Sequence, residues 1–164
     1  MYILGDIGNS DTKVFLVNSK QKIIKNIILP SKKINNKILN LKFKPFVKNF
    51  ESINKILFCS VVPRCFSLIK KFLSKKTKKK CYEVKDLNLK TLLRIKVNYK
   101  QVGSDRLTNA ISVLNNKDNF IILDFGTATT FDVVIKKTYK GGVIAPGIKI
   151  SLNSLSDKAS LIPK

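Results

Sequence analysis

The chain contains no histidine and no tryptophan, a single methionine, and only ten acidic residues against 32 basic ones. Without histidine there is no Ser-His or Cys-His nucleophilic pair, and no imidazole to complete a zinc set. Cysteine is scarce as well: Cys59, Cys65 and Cys81 are odd in number and lack C-x-x-C spacing. A reduced, cytoplasmic protein is expected. The start, MYILGDIGNSD, has no basic leader, no long apolar core and no small-residue cleavage site, and no apolar run reaches the roughly 20 residues a membrane helix needs. Neither export nor a membrane partner is expected, and carboxylates remain as the acid/base groups.

What is present begins with apolar content. At 44% hydrophobic residues over 164 positions the chain belongs to the globular class and can bury a core. The net charge of +22 suggests a polyanionic partner, because clustered cations release counterions on nucleic acid. Yet only Arg64, Arg94 and Arg106 are arginines, and lysine is the poorer residue for bidentate recognition of phosphate or guanine. A solvated lysine surface is the expectation, with no nucleic-acid partner.

β-branched and apolar segments at Tyr2 to Leu4, Val14 to Val17 and Ile23 to Leu29 predict a β-meander. The stretch 35–50 mixes lysine with apolar residues around Pro45 and receives no assignment. Ile56 to Val62 predicts a buried strand. Cys65, Leu68, Ile69, Phe72 and Leu73 then predict an amphipathic helix ending in Lys75, Lys76, Lys78, Lys79 and Lys80, where cations suit the helix dipole. Leu107, Ala110, Ile111 and Leu114 form the apolar face of another helix, with Ser104 placed to cap it. Strands follow at Phe120 to Leu123, Phe131 to Ile135 and Gly142 to Ala145. A last helix carries Ile148, Leu152, Leu155 and Ala159 on one side and closes before Pro163.

The most informative comparison is internal. Residues 6–17 read DIGNSDTKVFLV and residues 124–135 read DFGTATTFDVVI, sharing Asp-x-Gly, a following Asn or Thr, a Thr six places on and a closing apolar strand. The pattern puts a carboxylate at a strand end, a glycine where backbone approaches a ligand, and hydroxyls and amides in the turn. Such a turn suits a phosphate chain, with the carboxylate holding a cation, and two copies would grip one nucleotide from both sides. A lone Asp-x-Gly turn is ordinary turn chemistry; the repetition argues for duplicated architecture. A third carboxylate, Asp105 in VGSDR, sits at a helix start that favours its ionised form. It suits either a proton acceptor for an alcohol or a simple dipole partner. Arg106 beside it would fork onto a substrate carboxylate or tie the helix to a neighbour.

Together DIGNSDTK at 6–13, VGSDR at 102–106, LDFGTATTFD at 123–132 and GGVIAPG at 141–147 resemble, in order and spacing, the motifs of type III pantothenate kinases. The resemblance implies an α/β fold of the acetate and sugar kinase/Hsp70/actin superfamily. One complete ribonuclease-H-like domain would occupy 1–116, and 117–164 would begin a second, which stops incomplete. It implies transfer of the γ-phosphate of ATP to pantothenate, with magnesium and a monovalent cation, potassium or ammonium, in a homodimer. Asp6, Ile7, Gly8, Asn9, Ser10, Asp11, Thr12 and Lys13 would contact ATP phosphates, and Thr127 would bind ATP. Asp105 would accept the proton, Gly103, Ser104, Asp105 and Arg106 would line the pantothenate site, and Asp124 would ligate the monovalent cation. Departures from the motifs are Lys96 and Tyr99 around Asn98, and Asp11, whose charge inside the first turn calls for compensation by Lys13 or a cation. An incomplete second domain would leave apolar faces uncovered, so weak or no turnover is expected of this chain alone. The alternative reading is a non-catalytic basic binding or regulatory protein that keeps the kinase fold.

Overall fold

The structure is a computed structural model that describes residues 1–115 and 117–158. The chain divides into two compact units, one of residues 1–88 with 103–105, the other of residues 89–102 with 106–164.

The first unit is built on a five-stranded sheet. Strands β1 (Tyr2–Ile7), β2 (Asp11–Val17) and β3 (Ile23–Pro30) form the predicted meander. Helix α1 (Asn36–Lys42) and a 3-10 segment, Lys44–Ser52, lead into β4 (Lys55–Ser60), helix α2 (Pro63–Thr77) and β5 (Cys81–Glu83). The order is β3-β2-β1-β4-β5; β1 lies antiparallel to β2 and parallel to β4. Alternation puts Ile3 and Ile7 of β1, Thr12, Val14 and Leu16 of β2, and Ile56 and Phe58 of β4 in the core. Gly5 belongs to that series because it pairs with Phe58, whose ring fills the space a Cβ at position 5 would need. Fully burying side chains of this size contributes about 1.5–3 kcal/mol each.

The unassigned stretch 35–50 turns out to close this core. Asn35 caps α1, its side chain accepting from the Ile38 amide at 3.0 Å, and Leu39, Phe43 and Phe46 are fully buried. Phe43 meets Phe46 edge-on and also touches Phe72 of α2, with centroids 5.5 and 5.2 Å away. Helix α2 buries Cys65, Ile69, Leu73 and Thr77, one residue per turn. It is shorter than its lysine run suggests. Lys78 turns left-handed at φ 55°, and Lys78, Lys79 and Lys80 lie beyond the helix, whose last turn holds only Lys75 and Lys76.

In the second unit β6 (Arg94–Ile95) precedes helix α3 (Ser104–Ser112), whose first two residues are counted with the first unit. Strands β7 (Asn119–Phe125), β8 (Ala128–Ile135) and β9 (Thr138–Pro146) and helix α4 (Ile148–Lys158) follow. The sheet order is β6-β9-β8-β7, with β7, β8 and β9 antiparallel in sequence. Between Tyr139 and Gly141 the extra residue Lys140 bulges out of the pairing with β8, and Gly141 takes φ 99° there. One face of this sheet presents Ile121, Leu123, Phe125, Phe131 and Val143 to solvent, Ile121 at 69% exposure. Along α4, Ile148, Leu152 and Leu155 are exposed as well; Ala159 and Pro163 lie outside the described residues.

Candidate functional site

In the first unit the Asp-x-Gly turn joins β1 to β2. Asp6 is the next-to-last residue of β1, opposite Lys13 on β2 and Cys59 on β4. The Gly8 amide donates to Asp11 O at 2.9 Å, while Asn9, Ser10 and Asp11 are exposed at the tip. Ile7 and Thr12 point the other way, into the core, both fully buried. They form the floor of the turn. Ser31, just after β3, braces that floor from a distance in sequence: its hydroxyl donates to Gly8 O at 2.6 Å and its amide to Ser10 O at 2.8 Å. Since the single Ser31 hydroxyl proton is spent on Gly8 O, the 2.9 Å bond to Thr12 has the threonine as donor. A cavity of about 260 Å³ opens beside Asn9 and Ser31, with Lys32 and Arg64 in its wall.

Asp105 reaches this turn through one joint. The Ser60 amide, at the end of β4, donates to Ser104 Oγ at 2.7 Å, and Ser104 Oγ donates back to Ser60 O at 3.1 Å. Ser104 is therefore the first helical residue, and these bonds pin it to the strand that runs beside β1. Gly103 is small for a reason: the Asp105 carboxylate folds back into the place a Cβ at 103 would take. Beside the Asp6 carboxylate lies Cys59, whose Sγ donates to Asp6 Oδ1 at 3.4 Å. Burial first, then the charge of Asp6, and further down that of Asp105, push this thiol far above its ordinary pKa. Cys59 stays protonated and neutral beside Asp6.

The second turn joins β7 to β8 in the other unit, and its register differs. Thr12 pairs with Ile7, but Thr130 pairs with Asp124 itself, so the second connection is one residue shorter. The spacing of the Asp and the Thr is equal in sequence, yet they fall on opposite faces in the first hairpin and on one face in the second. Asp124 Oδ2 accepts from Asn109 Nδ2 of α3 at 3.0 Å. Thr130 Oγ1 is buried and has no hydrogen-bond partner among the described residues. The Gly147 amide donates to Thr127 O at 3.0 Å, and a Cβ at 147 would collide with the Gly126 and Thr127 carbonyls. The last glycine of GGVIAPG thus seats the second turn.

Arg106 had two open roles, and the tie to a neighbour is realised. Its Nε and Nη2 donate to Asp132 of β8 at 2.9 and 2.6 Å, a forked pair in which the Asp132 side chain is 1% exposed. Tyr139, fully buried, donates its hydroxyl to the same carboxylate at 2.5 Å. Sequence reading missed Asp132, Tyr139 and Asn109. Asp132 stood inside the quoted motif LDFGTATTFD, and a charge within a strand of apolar residues was the available signal.

The donor chemistry suits hard cations. Asp6 and Asp105 offer carboxylate oxygens, and no group of three or more His, Cys, Asp or Glu able to hold a metal occurs among the described residues. Carboxylate oxygens are ligands of the kind magnesium takes, commonly one or two of them with phosphates and water filling its shell. Asp124 and the orphaned Thr130 hydroxyl, opposite each other in register, offer further hard oxygen donors.

Comparison with known proteins agrees across the chain. Residues 2–164 match the family described as Type III pantothenate kinase. A type III pantothenate kinase of Pelagibacter ubique is 65% identical over all 164 residues, which span 66% of its length. One from Sulfurihydrogenibium is 36% identical, again over the whole chain and 68% of its own. Against the Pelagibacter relative the chain spans just under two thirds. Among solved structures, a Campylobacter jejuni protein of the Baf family superposes with TM-score 0.58 at 19% identity, covering 99% of this chain and 63% of that one. A Sinorhizobium meliloti protein named for 2-dehydro-3-deoxygalactonokinase gives 0.52 at 8% identity, over 98% of this chain and 58% of that one. At such identities these two speak for the fold alone, an α/β ribonuclease-H-like architecture.

Proposed function

We propose, because the chain belongs to the type III pantothenate kinase family, that it carries catalytic machinery for ATP-dependent phosphorylation of pantothenate to 4′-phosphopantothenate, the first step of coenzyme A biosynthesis. The observation that carries the reading is the Ser60–Ser104 joint, which ties the helix start bearing Asp105 to the end of β4, the strand that runs beside β1 and its Asp6 turn.

In this reading Asp105 accepts the proton of the pantothenate 4′-hydroxyl as its oxygen bonds to the γ-phosphorus and the bond to ADP breaks. The turn from Asp6 to Lys13 lays backbone amides, Asn9, Ser10 and Lys13 along the phosphates, with buried Ile7 and Thr12 holding its shape. Thr127 binds ATP, and Gly103 to Arg106 line the pantothenate site. Magnesium and a monovalent cation, the latter on Asp124, supply positive charge that offsets the triphosphate. The protein acts in the cytoplasm as a homodimer.

ATP consumption with and without pantothenate, and with and without potassium, tests this. The expected rate depends on both and falls about 100-fold or more in Asp105→Asn, the range for a lost general base. An Asp105→Asn variant as fast as wild type removes Asp105 from the reaction. A second reading, a basic binding or regulatory protein, draws on a cleft of about 480 Å³ lined by Lys90, Arg94, Lys136 and Lys137. Duplex DNA binding that resists added salt and prefers a sequence would favour it; binding that fades steeply with salt would mark a solvated lysine surface.

A further inference from the structure

We infer that Asp132, together with Tyr139, is a positioning residue that fixes Arg106 for the carboxylate of the acceptor substrate. The inference rests on the reading that Arg106 meets pantothenate, and extends it to two residues on a different strand pair.

Three observations carry it. The first is the geometry: Asp132 Oδ1 accepts from Arg106 Nη2 at 2.6 Å, from Nε at 2.9 Å and from the Tyr139 hydroxyl at 2.5 Å, while Oδ2 takes a second contact from Nε at 3.1 Å. A guanidinium held by Nε and Nη2 has its plane fixed. The second is burial. Asp132 and Tyr139 are both fully buried, and Arg106 is 13% exposed. A buried ion pair is poor evidence of stabilisation, because apolar residues of similar volume usually do as well or better. A carboxylate in the middle of a strand is better explained by what it orients. The third is the accommodation around it: a Cβ at Gly142 would come within 2.9 Å of Arg106 Nη2 and overlap the Phe131 carbonyl, so the glycine leaves room for the fork.

The helix itself is registered by the same device. Arg106 and Asn109, one turn apart on α3, bond Asp132 and Asp124, which belong to neighbouring strands and share a face of the sheet. The helix that carries Arg106 is thereby locked against rotation. Because Asp132 neutralises the guanidinium, selection of a carboxylate would come from placed donors and not from net charge.

The test is binding by the full chain, read by titration calorimetry in the presence of a non-hydrolysable ATP analogue. The two probes are pantothenate and its primary alcohol analogue, in which the carboxylate is replaced by a hydroxymethyl group. Wild type is expected to prefer pantothenate by about tenfold or more, the scale of a charge-assisted hydrogen bond. Asp132→Asn should cut that preference to below about threefold, since its amide faces the guanidinium with a donor. Tyr139→Phe should lower it by about half, with cooperative melting and ATP-analogue affinity retained. If both variants fold and discriminate as wild type does, the pair is merely structural and the inference falls while the kinase reading stands. If wild type itself fails to prefer the carboxylate, the reading of Arg106 falls and this inference with it. Should Asp132→Asn not fold, Tyr139→Phe decides alone.

Discussion

The two Asp-x-Gly hairpins look like copies in sequence but are held in different ways. Eight residues after its aspartate the first hairpin has Val14, fully buried in an apolar core; the second has Asp132, equally buried but paired with Arg106 and Tyr139. The first turn is braced from beneath by Ser31, whereas the second leans on Asn109 and on the close pass of Gly147. One residue less in the second connection moves its threonine to the face of its aspartate. A shared motif therefore specifies which groups line a turn, and the register of the strands decides which of them can reach a ligand.

The strongest way to break the comparison is to give the first hairpin the charge of the second. Val14→Asp would place a carboxylate in an apolar core of Ile3, Ile7, Leu16 and Phe58. An uncompensated buried charge costs about 3–5 kcal/mol, enough to unfold many domains. Urea denaturation should show the loss; a midpoint shift worth less than about 1 kcal/mol would mean the core admits water at that point.

A second contrast is in titration, because all three cysteines belong to the first unit. Burial pushes the Cys81 thiol up to about 12, and Cys59 is raised further by burial and the neighbouring acids. A raised folded pKa contributes stability at low pH that is lost as pH climbs past the unfolded value, near 8.5 for cysteine. Above that pH the unfolded chain sheds protons that the folded one keeps. Each thiol should then cost up to about 1.4 kcal/mol per pH unit. Cys81→Ala should flatten the alkaline fall in stability relative to wild type, and identical pH slopes would show the thiol to be less shielded than its burial implies.

How far the sequence reaches can be judged residue by residue. The strands of both hairpins were legible because their β-branched runs alternate, and Asp105 and the glycine-bearing motifs were legible from residue type and order. The helix at 36–42 was not, although Asn35 is a good cap, because two turns interrupted by lysines and followed by Pro45 leave too little period to detect. The bracing by Ser31 and the pairing of Asp132 with Arg106 were illegible for another reason. The residues they meet, Thr12, Gly8 and Arg106, lie 19 to 26 positions away, and such pairings follow from sheet register, which no local pattern announces. The same holds for the split role of the phosphate stretch: only the pairing of Ile7 with Thr12 reveals that two of its residues face the core.

The finest contrast lies in the two threonine hydroxyls. Thr12 donates to Ser31 Oγ inside the core, so Thr12→Val, nearly equal in shape, should cost about 1 kcal/mol for the bond and for leaving Ser31 Oγ with one partner fewer. Thr130 Oγ1 is buried without a partner among the described residues, so Thr130→Val should leave stability unchanged or raise it slightly, by removing an unmet polar group. Thermal denaturation of the two variants side by side reads the difference directly. Equal losses would mean that Thr130 has a partner after all, and that the two hairpins are braced more alike than their registers suggest.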